Sequence, residues 1–151
     1  MKKFLCISLG VGLITGLVAL ISSFLNIPSW MLFLGWSVSF FTGANWEGVK
    51  KSFPCLILGP ILAYLTNFVL NSFDMSVYVM AIIVAILGFF MTYSQTSKLF
   101  PVTAAVFTSA NIYFASNNLL FSIILPLLGL LLGPPAISLG NWFDKLINKT
   151  N

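Results

Sequence analysis

The chain has 151 residues, 59% of them hydrophobic and 7% charged, with a formal net charge of +4 and a mean hydropathy of +1.03. That balance excludes a soluble domain, whose apolar core has to be wrapped in charged surface, and makes the lipid bilayer the expected partner. Seven scattered lysines, with no arginine or histidine, form no basic face, so nucleic acid is excluded as well.

The chain opens with Met-Lys-Lys and an apolar run from Phe4 to Phe24. A cleaved signal peptide has the same beginning, but this run is about a full span long and Ser22-Ser23-Phe24 is a poor cleavage site, so an uncleaved signal anchor is expected. Ser8, Gly12 and Gly16 recur along it at helical spacing, which lets another helix approach closely. Cys6, here, and Cys55, further on, read as small hydrophobes and not as a disulfide framework.

A turn at Asn26 to Ser29 leads to a second apolar run. Trp30, like Trp46 and Trp142, falls at a span end where indole prefers the headgroup level, whereas Trp36 lies inside the span. Gly35, Ser39 and Thr42 supply its small and polar positions. The polar stretch from Asn45 through Lys51 precedes a third run, which contains Pro60 and Asn67, and a turn with Asp74 precedes a fourth. Beyond Lys98 the fifth run is the least lipid-like: Ala104, Thr108, Asn111 and Ala115 fall at i, i+4, i+7 and i+11 and form one small, polar stripe. The sixth carries Pro126, Gly129, Gly133 and the Pro134-Pro135 pair.

These runs predict a single all-α domain, a membrane bundle of six helices at about 4–25, 30–44, 52–72, 76–94, 99–116 and 119–140, with the second and fifth short or broken. An N-terminus in the cytoplasm then places all seven lysines on that side, with the C-terminus, and leaves only Asp74 in the outer loops. Six spans also invite division into two halves of three, the second inverted relative to the first. Gly35, Ser39 and Thr42 echo Ala104, Thr108 and Asn111 at one constant offset, and Pro60 echoes Pro126 at a similar one.

Gly12, Gly16, Gly129 and Gly133 are the expected helix-packing positions, against either a helix of the same chain or a second copy in a homo-oligomer. Gly35, Ser39, Thr42, Asn67, Thr108 and Asn111 are the candidate lining of a solute pathway, because uncharged donors and acceptors can replace the water of a small polar solute. No Asp, Glu, His, Lys or Arg lies in mid-span, so a proton relay, a metal site or paired-carboxylate chemistry has no residues to run on. Neither catalysis nor a metal or cofactor is expected.

Pro28-Ser29-Trp30, Phe33-Leu34-Gly35, Phe40-Phe41, Gly43 and Gly48 before Lys50, Phe100-Pro101 with Thr103, Phe114-Ala115 and Leu125-Pro126 together resemble the family known as domain of unknown function 1097. The resemblance covers nearly the whole chain and implies a six-helix protein of the bacterial inner membrane. It brings no established activity and no functional residue. The expected function is therefore a channel or facilitator for a small, neutral polar solute. The alternatives are a sodium-coupled transporter and, in another class, a membrane scaffold or accessory subunit that binds another membrane protein.

Overall fold

A computed structural model describes residues 2–72 and 76–149; Asp74, the expected outer-loop charge, lies outside them. The described residues form helices and no strand: α1 (Lys2–Phe24), α2 (Ser29–Phe41), α3 (Trp46–Ser72), α4 (Val77–Tyr93) with a 3-10 turn at Ser94–Thr96, α5 (Thr103–Ser116), α6 (Leu119–Leu131) and α7 (Gly133–Lys149). Four stretches are long and apolar enough to cross a membrane: Lys3–Phe24, Trp46–Ser72, Val77–Thr96 and Leu119–Ile147, the last joining α6 to α7. The chain thus has membrane-helix character. At 13 and 14 residues, α2 and α5 are only about 20 Å long, against roughly 30 Å of hydrocarbon.

The element boundaries follow local chemistry. α3 starts at Trp46, ahead of the expected 52, because Asn45 Oδ1 accepts from the Gly48 amide at 2.8 Å and Lys51 Nζ reaches Glu47 at 2.7 Å across one turn. α5 starts at Thr103, after the expected 99, because Pro101 biases Phe100 away from helix. The two-residue link after α5 divides the work of ending one helix and starting the next. Asn117 takes the left-handed conformation, φ 50°, and its amide bonds the Tyr113 carbonyl, while Asn118 Oδ1 accepts from the Phe121 amide at 3.1 Å. Pro60 and Pro126 sit inside unbroken helices. The one interruption in the expected sixth span is at Leu132, before Gly133-Pro134-Pro135.

Three helix pairs carry most of the packing: α2 on α6, α3 on α5 and α1 on α7, with α4 laid against α3. In lipid these contacts rest on close van der Waals approach, since hydrocarbon is as apolar as the bundle interior. Two of the pairs make the same contact. A Cβ on Gly129 would overlap the Leu32 carbonyl and lie 2.9 Å from the Trp36 nitrogen; a Cβ on Gly59 would overlap the Val106 carbonyl and lie 2.9 Å from the Ala110 nitrogen. In each case a glycine sits over the carbonyl of one residue and the amide of the residue four on. Val38, Cys55, Leu56, Ala105, Val106 and Leu130 close the core between these pairs.

α1 and α7 meet at Gly10 and Gly140, where a Cβ on Gly10 would lie 2.7 Å from the Gly140 nitrogen. Gly12 and Gly16, the positions expected to pack, have no atom within 4 Å of a built Cβ and face away from the bundle.

Candidate functional site

Burial sorts the polar side chains by whether the fold satisfies them. Thr66 donates to the Leu62 carbonyl at 2.9 Å, Ser109 to Ala105 at 3.0 Å and Ser122 to Leu119 at 3.0 Å, each bonding back along its own helix. Ser52 reaches Thr42 Oγ1 at 3.5 Å. Among the described residues two buried side-chain atoms have no partner, Trp36 Nε1 and Ser39 Oγ. Ser39 is 0% exposed and Trp36 4%.

Both lie on α2, one turn apart, where the helix passes α6 and the start of α7. The Trp36 ring is held along α2 by Phe33 and Phe40, with centroids at 6.3 and 6.1 Å. Its backbone is pinned under Gly129. Ser39 is pressed against Gly133, where a Cβ would overlap its hydroxyl. The Ser39 carbonyl is fully used, accepting from the Ala44 amide at 2.7 Å and from the Thr42 amide and hydroxyl at 3.2 Å each. The turn that begins at Thr42 therefore closes over Ser39. Beyond it a recess of about 320 Å³ is lined by Phe41, Thr42, Asn45, Glu47, Gly48 and Lys51.

The α6–α7 junction supplies acceptors. Pro134 and Pro135 have no N–H, so the carbonyls of Leu130 and Leu131 lack the donors that a continuous helix would provide four residues on. The neighbouring bond is made, from the Ala136 amide to the Leu132 carbonyl at 3.1 Å. Among the described residues no three of His, Cys, Asp and Glu come together as a metal site.

The structure separates the six expected pathway residues into three places. Gly35, Ser39 and Thr42 stay together on α2, with Gly35 buried so closely on Pro126 that a Cβ would overlap its carbonyl. Asn67 instead joins a polar cluster between α3 and α5, donating to Tyr113 Oη at 3.3 Å and Asn117 Oδ1 at 3.2 Å, while Asn71 donates to Asn67 at 3.2 Å. Thr108 is half-buried and Asn111 is exposed, as are Ala104 and Ala115. The stripe expected to face α2 across an internal path is thus turned outward. α5 packs through Ala105, Val106, Ser109, Ala110, Ile112 and Tyr113. Of the expected packing glycines, Gly129 and Gly133 hold α6 and α7 on α2. Trp36 and Tyr113 are the functional candidates that residue type alone did not select. An indole away from both span ends was the signal for Trp36.

Residues 8–141 match the model of a family described as "Protein of unknown function (DUF1097)". The chain belongs to that family. No curated protein and no solved structure matches this DUF1097 chain.

Proposed function

We propose that this DUF1097 protein is a facilitator for a small, neutral polar solute, built as two inverted halves of three helices that cross the bacterial inner membrane six times, with both termini in the cytoplasm. The observation that carries the reading is the matched glycine contact, Gly59 on Val106 and Ala110 against Gly129 on Leu32 and Trp36. A pseudo-two-fold axis that carries the first three helices onto the second three would carry the contact of α3 with α5 onto that of α6 with α2. This register equates Gly59 with Gly129, not Pro60 with Pro126, and so differs from the echo in the sequence. The solute path runs along α2 from the recess at Thr42 to Ser39 and Gly35. Apart from the Glu47–Lys51 pair at the recess it has no charge, which favours neutral solutes over ions.

The test is stopped-flow swelling of liposomes that contain the purified protein, across small amides, polyols and ions. Permeation of a neutral solute well above protein-free liposomes, with no ion flux, is the expected result; no flux of any solute overturns the reading.

A scaffold role is the second reading, and a separate observation favours it: Gly12 and Gly16 face open space on the outer side of α1, and outward-facing Asn111 has no hydrogen-bond partner. On that reading Gly12→Leu abolishes a complex with a second copy or another membrane protein and leaves flux unchanged.

A further inference from the structure

We infer that Trp36 and Ser39, together with the proline-interrupted α6–α7 junction, form a binding site for a small carboxamide or urea-type solute. This inference rests on the facilitator reading and names its solute class.

Position and chemistry carry it. A buried donor without a partner forfeits about 1–3 kcal/mol, and three buried helix hydroxyls avoid that loss. Thr66, Ser109 and Ser122 turn back onto their own helices. Ser39 is turned instead toward Gly133, and one turn earlier the Trp36 N–H is equally unpaired. An indole N–H can only donate, so the complementary group is an acceptor oxygen. Gly133, which lies on Ser39, is followed by Pro134 and Pro135, and these leave the Leu130 and Leu131 carbonyls without their helical donors.

A carboxamide fits both sets of groups. Its oxygen accepts from Trp36 and Ser39, and its NH2 group donates to the released carbonyls. A carboxylate would lack the donors and meet no cation, and a metal ion would meet the indole N–H.

As it stands the site is closed, with Gly133 directly on Ser39. Admission requires α7 to swing away at Leu132 to Pro135, where α6 and α7 already part. α7 is packed chiefly on α1 through Gly10 and Gly140, so the two move together away from the core pairs. Glycine at 133 is what allows complete closure, since any side chain there would hold the junction open.

Trp36 is its own reporter. In a Trp30→Phe, Trp46→Phe, Trp142→Phe background it is the sole tryptophan, and its emission is titrated with millimolar acetamide and urea, with glycerol and N,N-dimethylacetamide as comparisons. Acetamide and urea should give a saturable emission change, glycerol none, and dimethylacetamide, which keeps the acceptor but lacks N–H, a much weaker one. Ser39→Ala, which removes an unpaired group and so keeps the fold, should weaken acetamide binding at least about fivefold.

An emission change that does not saturate, an equal response to glycerol, or unchanged affinity in Ser39→Ala overturns the site. Swelling assays on the same variants separate the two claims. Amide flux that persists unchanged in Ser39→Ala and Trp36→Phe removes this site and keeps the facilitator. Saturable, Ser39-dependent binding without flux keeps the site and removes the facilitator.

Discussion

Tyr113 ties α3 to α5 in two ways, by its hydroxyl to Asn67 and by its ring edge to Tyr64, with centroids 6.1 Å apart. The two contributions can be separated. Tyr113→Phe keeps the ring contact and loses one interhelical hydrogen bond, worth about 0.6 kcal/mol in a membrane bundle. Asn67→Leu loses the bonds to Tyr113, Asn117 and Asn71 together and should cost about 1–2 kcal/mol. Unfolding in mixed micelles by added SDS measures both, and equal costs would show that the bonds of Asn67 to Asn117 and Asn71 add nothing to its bond with Tyr113. This network also shows what residue type reveals and what it hides. That Asn67 and Asn111 need explaining is legible in the sequence, because a carboxamide in an apolar helix is unusual. Where each one points is not: Asn67 finds partners between helices and Asn111 faces outward, on helices whose hydropathy is much the same on every side.

The same ambiguity governs whole helix faces. Gly12 and Gly16 on α1 and Gly129 and Gly133 on α6 and α7 share one spacing, yet only the second pair lies against another helix. In water an apolar face has to be covered, so periodicity reports burial; in lipid either face is acceptable and the same pattern says nothing about which is inside. Helix ends are more legible, since the caps at Asn45, Asn117 and Asn118 act within a few residues of themselves. The difference between the glycines becomes a contrast in stability. Gly59→Ala and Gly129→Ala each force a methyl into a facing carbonyl and should cost about 1–3 kcal/mol. Gly12→Ala meets nothing and should gain up to about 1 kcal/mol of helix propensity. Detergent unfolding of the three variants tests this, and a destabilised Gly12→Ala would mean that α1 is packed on something outside the single chain.

At the scale of the molecule, four long helices and two short ones allow two threadings of the membrane, which place the lysines differently. If only the four long stretches cross and α2 and α5 turn back inside the bilayer, a cytoplasmic N-terminus leaves Lys50, Lys51 and Lys98 on the outer side. If α2 and α5 cross as well, every lysine is cytoplasmic. Both threadings have an even number of crossings and the same sidedness for the two termini, so fusions to the ends cannot separate them. Positions just before and just after α4 can, because they exchange sides. Ser76 and Thr96 are exposed and border that helix, while the native Cys6 and Cys55 are buried and stay silent toward a polar reagent. In intact cells with a permeable outer membrane, an impermeant maleimide should label Ser76→Cys and spare Thr96→Cys until the inner membrane is opened. With the N-terminus in the cytoplasm, the reverse pattern would mean four crossings. It would place α2 and α5 as two half-length helices meeting inside the bilayer, and the inverted halves would then have to be redrawn with Ser39 reached from the outer side.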